Sequence, residues 1–157
     1  VYIGGEVFGL RAKAKNFSHD DMKEGIAFAH EHGVRVHVTV NILAHNRDLE
    51  GVREYLKELK ELGPDALIIA DPAIFEMAKE ICPEIERHVS TQANNTNYGT
   101  YQFWWKQGAK RVVSAREPAP IRADGNMQSW KRPDQANICL YMKMSAVPTF
   151  SIPRICA

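Results

Sequence analysis

The sequence predicts an α/β domain of parallel strands, a portion of a TIM-like (β/α)8 barrel. Strand-like and helix-like stretches alternate through residues 1–117 with short connections, which implies parallel pairing through right-handed crossovers. Ala66-Leu67-Ile68-Ile69-Ala70 is a continuous apolar run, as expected of a strand covered on both faces. Each predicted strand ends in glycine or polar residues: Gly4-Gly5, Asn41, Asp71, Ser90 to Gln92, and Arg116-Glu117. Chemistry gathers at that edge in a (β/α)8 barrel and in a doubly wound sheet alike. No GxGxxG or Walker-type loop is present, so the nucleotide-binding sheet is the weaker option.

Val1 to Ile3 read as the end of a buried strand, with Gly4-Gly5 free to turn sharply or approach a ligand. A loop runs from Gly9 to Phe17. Ser18 is a good N-cap, and Asp20 and Asp21 suit the first turn of a helix. That helix carries Met22, Ile26 and Ala29 and stops at Gly33. Val34 to Asn41 alternates strictly. In a barrel its valines pack under the helices, while His37, Thr39 and Asn41 point inward. After the loop Ile42 to Asn46, a helix from about Asp48 carries the stripe Leu49, Val52, Leu56, Leu59 and Leu62 and ends at Gly63-Pro64. Asp71 ends the apolar strand, and Pro72 opens the next helix at a position that tolerates it. That helix carries Ile74, Phe75, Ala78 and Ile81. A strand Arg87 to Thr91, a helix from about Tyr98 to Gln107 and a strand Arg111 to Ala115 complete the pattern.

The 157 residues are 45% hydrophobic and 25% charged, with a net charge of +1, as expected of one soluble globular domain or part of a larger one. A balance so near neutrality gives no electrostatic case for a nucleic-acid groove or an anionic membrane surface, although a local basic patch is compatible with it. No apolar run is long enough to span a bilayer and no leader is visible, so no membrane partner and a cytoplasmic home are expected. Cys82, Cys139 and Cys156 form neither a CxxC pair nor a disulfide framework, and no metal site is expected from them. Cys82 reads as a buried small apolar residue. Opening directly on a strand suggests a truncated start. After Glu117 the periodicity stops, and Pro118, Pro120, Pro133, Pro148 and Pro153 crowd the remainder. Residues 118–157 are expected to be disordered or a frame-shifted, unnatural continuation.

The richest stretch for function is His88 to Asn97, which ends in an unbroken row of uncharged hydrogen-bonding side chains. Such a row at a strand end suits a polar ligand held by neutral hydrogen bonds; equally, it suits a cap for the helix starting near Tyr98. His45-Asn46 lies in a strand-to-helix loop on the active edge. Asp71 is either a catalytic carboxylate or a cap, and Arg116-Glu117 either meets an anionic substrate group or pairs with itself. His37 and His88 are ligands, proton carriers or core histidines. His19, His30 and His32 are read as solvated. Ser90, Thr91 and Ser114 offer hydroxyls with no base identifiable by spacing.

Tyr2-Ile3-Gly4-Gly5, Phe8-Gly9-Leu10-Arg11-Ala12, Val38-Thr39-Val40-Asn41, His45-Asn46, Ala66 to Pro72, Ser90-Thr91-Gln92-Ala93-Asn94 and Arg111 to Glu117 together resemble the collagenase-like peptidase (U32-type) family, in order and almost continuously over residues 1–117. The resemblance implies a TIM-barrel-like amino-terminal domain. It implies peptide or protein hydrolysis first. A second implied activity is oxygen-independent hydroxylation of tRNA or rRNA bases, or of a quinone precursor, by relatives with a [4Fe–4S] cluster on four cysteines. A binding-only or inactive fragment is the third reading. The family's Cys-x4-Gly-x-Cys arrangement has no counterpart between Pro118 and Ala157, so no cofactor is expected in this chain and the cluster belongs to a full-length parent. His45, Asp71 and Glu117 are the expected catalytic residues. Arg11, Asn41, Ser90, Gln92, Asn94 and Arg116 are expected to hold a peptide, RNA or small-molecule substrate, the two arginines through carboxylate or phosphate. Nothing in the sequence indicates an oligomeric state.

Overall fold

The computed structural model describes residues 1–10 and 16–115. Arg11, Arg116, Glu117, Cys139, Cys156 and the expectation for residues 118–157 lie outside the described residues. The elements follow the predicted alternation: β1 (Tyr2–Gly4), α1 (His19–Glu31), β2 (His37–Val40), α2 (Leu49–Leu62), β3 (Ala66–Ile69), α3 (Pro72–Ile81), β4 (Glu86–Val89), α4 (Tyr98–Lys106) and β5 (Arg111–Val112). Two 3₁₀ turns, Asn46–Asp48 and Thr91–Ala93, sit in the loops after β2 and β4.

The five strands form one parallel sheet in the order β1-β2-β3-β4-β5. Every step goes the same way. Right-handed crossovers then place every helix on one face of the sheet, as in a barrel wall; a doubly wound sheet reverses direction and covers both faces. Val38, Val40, Leu67, Ile69, Val89 and Val112 face the helices and meet Met22, Val52, Leu56, Leu59, Ile74, Phe75 and Trp104 in the core. The opposite face carries Tyr2, His37, Ala66 and Glu86 in one row and Gly4, Thr39, Ile68, His88 and Arg111 in the next. The alternation read in Val36 to Val40 is therefore the alternation built.

The helix ends follow local chemistry. Ser18 Oγ accepts from Asp21 N–H, and the Asp21 carboxylate accepts from Ser18 N–H, a reciprocal cap. Gly63, left-handed at φ 65°, closes α2. Strands are shorter than the sequence predicts, because their end residues bond elsewhere. Val34 N–H donates to Ala29 C=O and finishes α1, while Val36 N–H is held by the Asp65 carboxylate at 2.7 Å. His30 Nε2 hydrogen-bonds the same carboxylate at 2.9 Å, so its ring is partnered rather than merely solvated. Among the described residues, no helix is long and apolar enough to cross a membrane.

Leu56 is fully buried between α2 and the sheet. Leu56→Ala is expected to lower stability by about 2–5 kcal/mol in chemical denaturation, with the far-ultraviolet spectrum retained.

Candidate functional site at the carboxyl edge of the sheet

All the βα loops leave the same edge, and polar side chains at the strand ends hold them. Asn41, just past β2, accepts Leu10 N–H on Oδ1 at 3.2 Å, and Phe8 C=O accepts Ile42 N–H at 3.3 Å. The loop after β1 is thus bound to the end of β2. Asp71, just past β3, uses both oxygens. Oδ1 caps α3 through Ala73 N–H (2.8 Å) and Ile74 N–H (3.3 Å), and Oδ2 accepts Ala44 N–H at 3.2 Å from the loop after β2. Both loops are held by the polar residue that ends the next strand.

The polar row resolves into separate tasks. Ser90 Oγ accepts Gln92 N–H at 3.3 Å and starts the 3₁₀ turn, ending β4 earlier than predicted. Asn97 Oδ1 accepts Thr100 N–H at 3.1 Å and caps α4. Asn95 is fully buried. Its Nδ2 donates to Ser90 C=O (3.1 Å) and Val113 C=O (2.9 Å), while its own C=O accepts from Ala115 N–H and the Tyr101 hydroxyl. Tyr101 also bonds Ser114. This network ties the ends of β4 and β5 to α4 and stops the β5 ladder short. Asn95 was not among the sequence candidates. It stands in the polar row, but nothing in the residue types separates it from Asn94, which is exposed at φ 55°.

Of the sequence candidates, His45, Gln92 and Asn94 are exposed on the rim, while Ser90 is buried beneath it. Asn41 and Asp71 are half-buried. The structure joins Asp71 to the loop that carries His45 through Ala44, and Asp48 Oδ2 accepts His45 N–H at 2.8 Å. Ser90, Gln92 and Asn94 form a separate turn, which Asn95 fastens to the end of β5.

Below the rim, on the helix-free face, the His37 and His88 rings meet edge to face with centroids 4.8 Å apart. His88 is 2% exposed and bonds Glu86 Oε2 through Nε2 at 3.0 Å. Burial pushes its pKa down to about 4, outweighing the Glu86 hydrogen bond that pulls it up. Burial also lowers His37, with Arg111 and the terminal ammonium adding to the effect. Both rings are neutral at neutral pH. Among the described residues, the two rings contact each other and His88 bonds Glu86, below the rim.

A family model, peptidase family U32, matches residues 1–119. The chain belongs to peptidase family U32. This U32 chain is 41% identical over 121 residues to tRNA hydroxylation protein P1 of Bacillus subtilis (strain 168), covering 77% of this chain and 29% of that protein. It is 40% identical over 117 residues to tRNA hydroxylation protein P of Escherichia coli (strain K12), covering 74% of this chain and 26% of that protein. The U32 chain therefore spans between a quarter and a third of the length of these relatives. The solved structure of the U32 peptidase Mk0906 superposes with a TM-score of 0.59 at 15% identity, over 72% of this chain and 49% of that one, a likeness of fold.

The residues of the U32 chain do not fit a [4Fe–4S] cluster. Four thiolates are needed, and the sequence has three cysteines. Cys82 is buried at the end of α3, donates to Ala78 C=O at 3.2 Å, and is pushed up to about 11 by burial. Among the described residues no group of three His, Cys, Asp or Glu side chains is placed to hold a metal.

Asp71→Ala is expected to lower stability by about 0.5–2 kcal/mol in denaturant titration, the usual loss for a removed cap. It also frees Ala44 N–H, so amide exchange there should quicken. The buried imidazole gives a pH signature of definite sign. His88 is neutral in both states above its ordinary value of 6.5; as pH falls from 6.5 to about 4, only the unfolded chain takes up the proton. Stability should therefore fall across that window and level off below it as far as His88 is concerned. His88→Gln should flatten the slope in urea titrations at stepped pH.

Proposed function

We propose that this U32 chain serves hydroxylation of RNA, with tRNA as substrate, and that RNA is met at the carboxyl edge of the sheet. The observation that carries this reading is the 41% identity over 121 residues to a tRNA hydroxylation protein. The exposed rim groups suit it. The Gln92 and Asn94 amides can pair with the edges of unstacked bases, and the His45 ring can stack or donate. Asn41 and Asp71 act by holding the loops that present these groups. Arg11 and Arg116 are proposed for phosphate, Glu117 for handling a proton, and Ser90 for anchoring the turn that bears Gln92.

Peptide hydrolysis, the first expectation from the family name, has less support. A hydrolytic nucleophile needs a base within hydrogen-bond reach. Ser90 Oγ is bonded to Gln92 N–H, Ser114 pairs with Tyr101, and His88 is bonded to Glu86. A net charge of +1 supplies little long-range attraction for RNA, so affinity on this reading comes from local contacts at the rim.

The test is a chimera. Residues 1–119 of this chain replace the matching segment of Escherichia coli tRNA hydroxylation protein P, in cells lacking that protein and grown without oxygen. Mass spectrometry of tRNA nucleosides is expected to show the product one oxygen atom heavier. A soluble, folded chimera that restores no such nucleoside but cleaves gelatin would reverse the assignment.

A further inference from the structure

Phe8 and Gly51 each go against local preference, and they face one another. Phe8 has φ 58°, a left-handed backbone that aromatic residues rarely adopt. Such strain persists only where the surroundings over-determine it, and it collects at functional sites. Gly51 lies in the first turn of α2, where glycine is a poor helix former. A Cβ built on Gly51 would stand 3.0 Å from Phe8 Cζ. The Phe8 ring fills the space that the absent side chain leaves open.

The same ring lies against Tyr55 of α2, with centroids 5.5 Å apart. Tyr55 Oη in turn approaches Gly5 so closely that a Cβ there would be 2.2 Å away. Both ends of the segment from Gly5 to Phe8 are thus packed against α2. Beyond the kink, Phe8 C=O accepts Ile42 N–H and Leu10 N–H reaches Asn41 Oδ1. The backbone beside the end of β2 is thus tied to an aromatic anchor packed on α2.

We propose that Phe8, seated in the socket left by Gly51, is a positioning residue that holds Gly9 and Leu10, just past β1, at the rim for RNA contact. The proposal rests on the RNA reading above and adds to it a residue pair that need not touch the substrate. Phe8 stands in the sequence only as part of the motif Phe8-Gly9-Leu10-Arg11-Ala12, and no sequence pattern links it to Gly51.

The full chain is compared with Gly51→Ala, Phe8→Ala and the double variant Phe8→Leu/Gly51→Ala, in which the shorter side chain makes room for the new methyl. Amide exchange at Leu10 and Ile42 is read by NMR, tRNA affinity by filter binding, and stability by melting. Both single variants are expected to speed exchange at the two amides by about tenfold or more and to weaken tRNA binding by about tenfold. Gly51→Ala should melt near wild type, because alanine favours the helix. The double variant should recover most of the affinity. Wild-type exchange in both single variants would overturn the proposal, as would loosened amides with unchanged affinity. A wild-type chain that does not bind tRNA would sink the RNA reading and the RNA part of the proposal. The exchange rates would then still decide whether Phe8 anchors the loop.

Discussion

The constraint on which this structure depends is directional. Five parallel strands, each laid beside the last on the same side, bring all their carboxyl ends to one edge. Loops leaving that edge carry backbone N–H groups that the ladder no longer satisfies, and an unpaired buried amide is costly, about 1–3 kcal/mol. The chain answers with side chains. Asn41 serves the loop after β1, Asp71 the loop after β2, and Asn95 the junction of β4 with β5. At this edge the loops after β1, β2 and β4 are braced from the neighbouring strand.

This bracing separates two kinds of polar residue that look alike in a sequence. Asn95 and Asn94 are adjacent and chemically identical, yet one is fully buried in a structural network and the other is exposed. Asp71 offers a carboxylate at the expected edge, but both oxygens are already engaged by backbone amides. Among the described residues, Gln92 and His45 combine a held backbone N–H with an exposed side chain. The Oδ1 of Asn95 is the exception within the network, buried with no hydrogen-bond partner among the described residues.

Much of the fold was legible because it rests on periodicity. The alternation Val36, Val38, Val40 marks a strand face, the spacing Val52, Leu56, Leu59 marks a helix face, and both are buried as read. Ser18, Asp71 and Gly63 act as the terminators their types suggest. Strand ends were less legible, because their amides are claimed by residues distant in sequence, such as Asp65 for Val36 and Asn95 for Ala115. The candidate site was legible as an edge but not as a division of labour. Gly51 illustrates why: its reason lies in the ring of Phe8, which no local pattern reveals. Of the two readings offered for the polar row, the structure shows the cap, at Asn97, while Gln92 and Asn94 are exposed.

RNA is proposed to meet this chain at the carboxyl edge of its sheet. Photo-crosslinking of 4-thiouridine-substituted tRNA to the full chain, followed by peptide mapping, addresses it most directly. Crosslinks confined to the loops around His45 and around Gln92 to Asn94 are predicted. Crosslinks concentrated at the opposite edge, around Arg35, Asp65 and Glu86, or on the outer faces of α1 and α3, would contradict it.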